Sequence, residues 1–280
     1  MAETYNGGRN LAMEAVRVSE AAARAASAWM GRGDEESADQ AAVEAMSKAL
    51  KALSIDGTVR IGENNGNQLV VGEKVGDGKG PAVDVALMPV EGPTIVAKGE
   101  PNGLSVIALA EGGKFLNVPD LYMEKIAVGG GLPAGLVDLD NPPSENLKAL
   151  SAAKGVPVSD LVVCILDRPR HSEIIAKVRE AGARIMLIVD GDVSGVVATV
   201  WPKSGIDLYC GIGGAPQGVL SAAALSCVGG PMQGRLGLPR NSGRVKAGRS
   251  RVTYPAQKIV ISGLGAREIT LPPPGGTPGA

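Results

Sequence analysis

Three short segments in the second half of the chain carry side chains suited to a phosphorylated, hydroxyl-rich ligand. Asp167-Arg168-Pro169-Arg170-His171 places two guanidiniums and an imidazole at a predicted strand end, just before a helix. That arrangement suits a phosphate; taken alone, the segment reads equally well as a solvated basic turn. Asp190-Gly191-Asp192 sets two carboxylates around a glycine, where they can accept sugar hydroxyls or hold a cation. Alone, it reads as a helix cap and turn. Gly211-Ile212-Gly213-Gly214-Ala215-Pro216 runs into a helix with proline near its start, so backbone N–H groups and a helix dipole can approach an anion. A structural tight turn is the other reading. The glycine spacing is not that of a dinucleotide fingerprint. Ligands bind beyond the carboxyl ends of strands in open parallel sheets, so three such loops on one sheet edge say more together than singly.

The first half offers carboxylates: Asp39, Glu63, Asp84 and Glu91. Acids on separate strand ends can converge on Mg²⁺ or Mn²⁺, which prefer oxygen ligands; singly, each reads as a surface acid. His171 is the sole histidine, so any Ser-His-Asp or Cys-His nucleophile would have to use it. No G-x-S-x-G elbow is present.

The elements that must position these residues follow from periodicity. Leu11, Ala15, Val18, Ala22, Ala25 and Trp29 make one apolar stripe of a helix over 10–30. Ser37-Ala38-Asp39-Gln40 has capping-box form and predicts a second helix to about Leu53, with Asp39 in its first turn. Runs at 58–61, 69–72, 83–87, 94–98 and 105–110 are β-branched and short, and predict strands. The Gly- and Pro-rich stretch 129–144 reads as the link between two halves. Beyond it, strands at 161–166, 184–189 and 206–210 alternate with helices at 172–181, 193–200 and 216–228, which predicts βαβ units and a parallel sheet. A further strand is expected at 259–262, and the Pro- and Gly-rich 271–280 reads as a disordered tail. The expected division is 1–130, 131–270 and that tail.

Composition narrows the function classes. The chain has 280 residues, 44% hydrophobic and only 2% aromatic, so the core must be built from Ala, Val, Leu and Ile. A net charge of −1 gives no basic face to displace counterions, so no nucleic-acid partner is expected. No apolar run of membrane-spanning length is present, and 1–9 lacks a signal-peptide pattern, so no membrane is expected. Three cysteines with no C-x-x-C pair argue against a disulfide framework or zinc site and for a reducing, cytoplasmic setting.

In order along the chain, the runs WMGRGDEESAD (29–39), IDGTVRIGE (55–63), VGEKVGDGKGPAVDVA (71–86), PDLYMEKIAVG (119–129), RPRH (168–171), DGD (190–192) and YCGIGGAPQG (209–218) resemble the class II fructose-1,6-bisphosphatases. The similarity covers about 10–236. It implies an α/β fold, the αβαβα sandwich of the inositol-monophosphatase and fructose-bisphosphatase group. It implies Mg²⁺ or Mn²⁺ dependence, a phosphorylated sugar as ligand and a homo-oligomer, dimer or tetramer. It implies Asp39, Glu63 and Glu91 as metal carboxylates, with Glu63, Glu91 and Asp190 as catalytic candidates. Glu91, Gly92, Tyr122, Arg168, Pro169, Arg170, Asp190, Gly191, Asp192 and Gly214 are the implied substrate contacts.

The departures from the family pattern cluster at the metal positions. Where the family has Asp-Pro-x-Glu-Gly-Thr, this chain has Met88-Pro89-Val90-Glu91-Gly92-Pro93. A metal-binding Asp is thus replaced by Met88, and a water-positioning Thr by Pro93, which has neither hydroxyl nor N–H. The acidic loop after Glu63 is replaced by Asn64-Asn65-Gly66-Asn67, and a metal-binding Glu by Gln217. The chain also departs after Arg235: 241–254 reads as a short basic bridge, and the family's terminal segment is expected to be missing. The expectation is a member whose ancestral reaction, hydrolysis of the 1-phosphate of fructose 1,6-bisphosphate, is weakened or lost, with the metal bound weakly or not at all. The alternatives are metal-poor isomerisation, elimination or transfer on a phosphosugar, with Glu63, Glu91, Asp190 or His171 as acid or base, and a non-catalytic sugar-phosphate-binding or partner subunit.

Overall fold

The computed structural model describes residues 11–63, 66–116, 118, 120–133, 135–237, 258–260, 269–270 and 275–276. The expectations for 1–9, for Asn64 and Asn65, and for the 241–254 bridge lie outside the described residues, as does most of the expected tail; within that tail, 275–276 pairs as a strand. The chain divides into two compact units, one comprising Met1–Asn117 with Gly265–Ala280, the other Val118–Leu264. The division falls earlier than position 131. The strand Tyr122–Val128 pairs with two strands of the second unit, and that pairing carries it across.

In the first unit, helices α1 (Leu11–Ser27) and α2 (Glu35–Lys51) pack on a mixed sheet built from β1 (Asp56–Ile61), β2 (Lys74–Val75), β3 (Ala82–Glu91) and β4 (Leu104–Glu111), with a short helix α3 (Pro93–Lys98). β1 and β3 run parallel, while β3 and β4 run antiparallel. Two late strands also join β4. Ala15, Val18, Ala22 and Ala26 of α1 and Ala42, Met46 and Leu50 of α2 are buried against Val59, Val85, Leu87 and Ile107. Alanine stripes let the two helices lie close to each other and to the sheet, as an aromatic-poor core requires.

In the second unit the order is β5 (Tyr122–Val128), α4 (Pro143–Lys154), β6 (Val162–Leu166), α5 (Ser172–Glu180), β7 (Arg184–Ile188), α6 (Asp192–Ala198), β8 (Leu208–Gly214), α7 (Ala215–Val228), β9 (Met232–Gly237) and β10 (Lys258–Val260). The sheet runs β10-β9-β5-β8-β6-β7. Only β6, β7 and β8 are mutually parallel; β5, β9 and β10 are antiparallel to their neighbours. Leu147 and Leu150 of α4 and Val178 of α5 pack on one face, over Ile126, Val163, Ile165 and Leu208. Helices α6 and α7 lie against β5, β6, β8 and β9 on the other. The first unit's sheet also takes β11 (Ile269–Thr270) and β12 (Gly275–Gly276), both on β4. The fold is mixed α/β: one sheet with a helical layer, and one sheet with helices on both faces. No helix among the described residues is long and apolar enough to cross a membrane.

Three local expectations are corrected. Helix α2 begins at Glu35, because Asp34 is the cap: its carboxylate accepts from Ser37 N–H at 2.9 Å. Asp39 therefore lies in the second turn, not the first. Residues 94–98 form helix α3 rather than a strand. Gly92 at φ 82° turns the chain, Pro93 sets the first helical φ, and Gly99 ends the helix; these signals outweigh the β-branched Thr94, Ile95 and Val96. Residues 69–72 form a turn, in which only Val70 bridges to Glu63.

Candidate functional site

Each unit carries one cluster of sequence-predicted residues. In the second unit, strand β8 outruns β6: their pairing covers only Val163↔Leu208 and Cys164↔Tyr209. Beyond that point one edge of β8 is met by side chains. Ile212 N–H donates to His171 Nε2 at 2.8 Å, and Arg170 Nε donates to Ile212 O at 2.8 Å. Both backbone groups of Ile212 are thereby satisfied by the loop that follows β6. His171 Nδ1, 2.7 Å from Leu166 O, donates to that carbonyl, since Nε2 is the acceptor. Both ring nitrogens are engaged, so His171 has no free nitrogen for acid–base chemistry and instead fixes the loop. Its burial lowers the imidazole pKa, and Arg170 nearby adds to that.

Arg170 also stacks on Tyr122, its guanidinium carbon 5.1 Å from the ring centroid. Arg168 pairs with Asp190 at 2.6 Å, joining the loops after β6 and β7. Pro169 is exposed at the start of the 3-10 turn that carries Arg170 and His171. Gly191, at φ 96°, turns the chain into α6. Asp192 does not project to solvent. It is 5% exposed and bonded to Lys125 Nζ and to the Tyr209 hydroxyl.

The glycine run 211–214 is not an open anion-binding loop. It is strand β8, paired in full with β5 from Gly211↔Lys125 to Gly214↔Tyr122. Its glycines admit neighbouring side chains. A Cβ on Gly211 would stand 3.2 Å from His171 Nε2, one on Gly213 would collide with the Asp192 carboxylate, and one on Gly214 with the Gln217 amide. Three glycines thus let three side chains close onto one strand end. The residues that sequence reasoning missed here are Lys125 and Tyr209. The signal for Lys125 was a lone lysine among the apolar residues of a strand.

In the first unit, Glu63 follows β1, its N–H donating to Leu69 O at 2.9 Å. Leu69 is fully buried with φ 59°, a left-handed conformation that costs roughly 1–2 kcal/mol for a non-glycine residue. Asp39 of α2 lies near enough to raise the Glu63 pKa; with burial as the larger cause, Glu63 reaches about 7. Burial also raises Asp39. Met88 and Glu91 flank a register shift in the β3·β4 pairing, where Pro89 has no N–H for the ladder. Glu91 is buried, and Gly92 turns the chain into α3 with Pro93 at its first position. Asp84 is not part of this cluster. It takes Arg60 Nε at 2.8 Å and Gly113 N–H at 2.7 Å, which ties β1, β3 and the turn after β4.

A divalent cation fits this donor set only in part. Asp39 and Glu63 are two crowded carboxylates whose raised pKa values a cation would relieve. Among the described residues, no group of three His, Cys, Asp or Glu side chains is placed to hold a metal ion. All three cysteines are free, and burial pushes Cys164 and Cys210 up to about 12, so these two are inert.

A family model described as bacterial fructose-1,6-bisphosphatase, glpX-encoded, matches residues 9–260. Fructose-1,6-bisphosphatase 1 class 2 of Escherichia coli (strain K12) is 48% identical over 231 residues, 81% of this chain and 68% of that protein. Fructose-1,6-bisphosphatase class 2 of Shigella flexneri is similar to the same extent.

Proposed function

Since the chain belongs to the class II, GlpX-type fructose-1,6-bisphosphatase family, we propose that it binds a phosphorylated sugar at the end of β8 and hydrolyses fructose 1,6-bisphosphate only weakly. The observation that carries this reading is the contrast in donors: Arg168, Arg170 and Asp190 are brought to one strand end, while Asp39 and Glu63 form a crowded pair of carboxylates and no group of three metal-ligating side chains is found among the described residues. Arg168 and Arg170 supply charge-assisted donors to phosphate oxygens. Asp190, already paired with Arg168, orients that guanidinium and accepts sugar hydroxyls. Tyr122, stacked on Arg170, holds the second guanidinium in place. Pro169 and Gly191 contribute backbone.

Family members are metal-dependent, and Asp39 and Glu63 are the residues to hold a divalent ion here, with Glu91 as a further candidate. A bound ion would supply charge neutralisation and an activated water. Without it, Glu63 with a pKa of about 7 can hold or release a proton near neutrality. Hydrolysis of a phosphate monoester needs one of the largest barrier reductions known. A chain with Met88 and Gln217 where the family pattern has carboxylates is therefore expected to be slow. Mg²⁺ or Mn²⁺ as the ion, a homo-oligomeric state and a cytoplasmic location are part of the same proposal. The test is phosphate release from fructose 1,6-bisphosphate with Mn²⁺ or Mg²⁺, alongside calorimetric binding of the same sugar. Binding with slow or absent release supports the reading, and rapid release or no binding refutes it.

A further inference from the structure

Lys125 stands in the middle of β5, a strand flanked on both sides, and its side chain is fully buried. A buried ammonium persists only when paired and hydrogen-bonded. Its partners are the Asp192 carboxylate and Gly214 O, the latter at 2.9 Å. The other Asp192 oxygen accepts from the Tyr209 hydroxyl, and Tyr209 is also fully buried. The Tyr209 ring lies against α6, close enough that a Cβ on Gly195 would meet it at 3.0 Å. One buried carboxylate therefore joins the middle of β5, two points on β8 and the first residue of α6.

We propose that Lys125 and Tyr209 are positioning residues for the phosphosugar site, and that Asp192 is their anchor rather than a ligand to the sugar. The proposal rests on the phosphosugar reading above. The path from anchor to ligand is short. Asp192 fixes Gly191, Gly191 fixes Asp190, and Asp190 holds the Arg168 guanidinium at 2.6 Å. Lys125 also fixes the Gly214 carbonyl, the last residue of β8 before α7. A loosened Asp192 would thus move an acidic and a cationic contact together, and an error of about 1 Å in such groups is felt strongly in binding and rate.

The test uses the full chain with Tyr209→Phe, Lys125→Met, Asp192→Asn and the Tyr209→Phe/Asp192→Asn double variant. Tyr209→Phe keeps the ring against Gly195 and removes only the hydroxyl, so it carries the test if Lys125→Met fails to fold. Calorimetry with fructose 1,6-bisphosphate should show Tyr209→Phe binding roughly tenfold more weakly, the scale set by one hydrogen bond to a charged group. The double variant should bind no more weakly than Asp192→Asn alone, because the hydroxyl acts through that carboxylate. A purely structural role would lower thermal stability and leave the affinity of folded protein unchanged; that result overturns the proposal. If the unaltered protein binds neither fructose 1,6-bisphosphate nor inorganic phosphate, the phosphosugar reading fails, and amide exchange decides the anchor by itself. Faster exchange at 190–196 in Tyr209→Phe, with the rest of the second unit unchanged, upholds the anchor. Unchanged exchange there refutes it.

Discussion

The two units treat their functional side chains in opposite ways. In the second, four polar side chains near the end of β8 are held by others: His171 between Leu166 and Ile212, Arg168 by Asp190, Arg170 by Ile212 and Tyr122, and Asp192 by Lys125 and Tyr209. In the first, burial raises both Asp39 and Glu63, Asp39 raises Glu63 further, and Asp84 is taken up in tying strands through Arg60 and Gly113. A preorganised donor set binds without further ordering, whereas crowded carboxylates await a cation. In the proposed reading, phosphosugar binding rests on the preorganised donors and the metal chemistry on the crowded carboxylates.

The largest expected effect comes from restoring chemistry. The combined Met88→Asp, Pro93→Thr and Gln217→Glu variant should raise Mn²⁺-dependent phosphate release from fructose 1,6-bisphosphate by at least about a hundredfold, since ions supply both nucleophile and charge neutralisation. A phosphate-release assay at saturating sugar measures it, and an unchanged rate would separate those positions from catalysis. Next, Arg168→Met should weaken sugar-phosphate affinity by roughly tenfold to a hundredfold, the scale of a lost charge-assisted hydrogen bond. The same substitution should leave Mn²⁺ binding as it was. A smaller effect sharpens the contrast from the other side. Removing metal with EDTA, or substituting Glu63→Gln, should change sugar-phosphate affinity by less than about threefold, within the additivity expected of independent sites. A collapse of affinity in calorimetry would show that binding needs the first unit's ion.

The smallest effect concerns pH. The folded state lowers the His171 pKa below its ordinary value of 6.5, chiefly by burial. The fold therefore favours the neutral ring, and that contribution is complete above 6.5 and is lost as pH falls through the lower folded value. Glu63, raised to about 7, works the other way, because its protonation on acidification relieves a cost of folding. The His171 contribution is therefore read as a difference: between pH 7.5 and pH 5.5 the urea midpoint of His171→Gln should gain more, or fall less, than that of the unaltered protein, while its stability at pH 7.5 is lower by about 1 kcal/mol through the loss of bonds to Leu166 and Ile212.

Much of this was legible in the sequence, for physical reasons. Apolar runs bounded by glycine and polar turns marked β6, β8 and the helices between them, because buried parallel strands leave little room for alternation. The RPRH and DGD segments were readable as strand-end loops for the same reason. Other elements hid behind local signals. α3 carries β-branched residues and is a helix because Gly92, Pro93 and Gly99 bracket it. α4 opens with Pro142 and Pro143, which read as loop until they serve as cap and first turn. β5 was unmarked because Glu124 and Lys125 sit in its centre, and β9 because Gly234 and Gly237 dilute its pattern. The role of the 211–214 glycines was missed because what they accommodate, His171, Asp192 and Gln217, is set by tertiary contact.

Equilibrium dialysis of Mn²⁺ against the full chain, with fructose 1,6-bisphosphate present, tests the central claim most directly. The account predicts at most one ion per chain, held weakly and released by Glu63→Gln, while the sugar stays bound. Two or three tightly held ions per chain would contradict it.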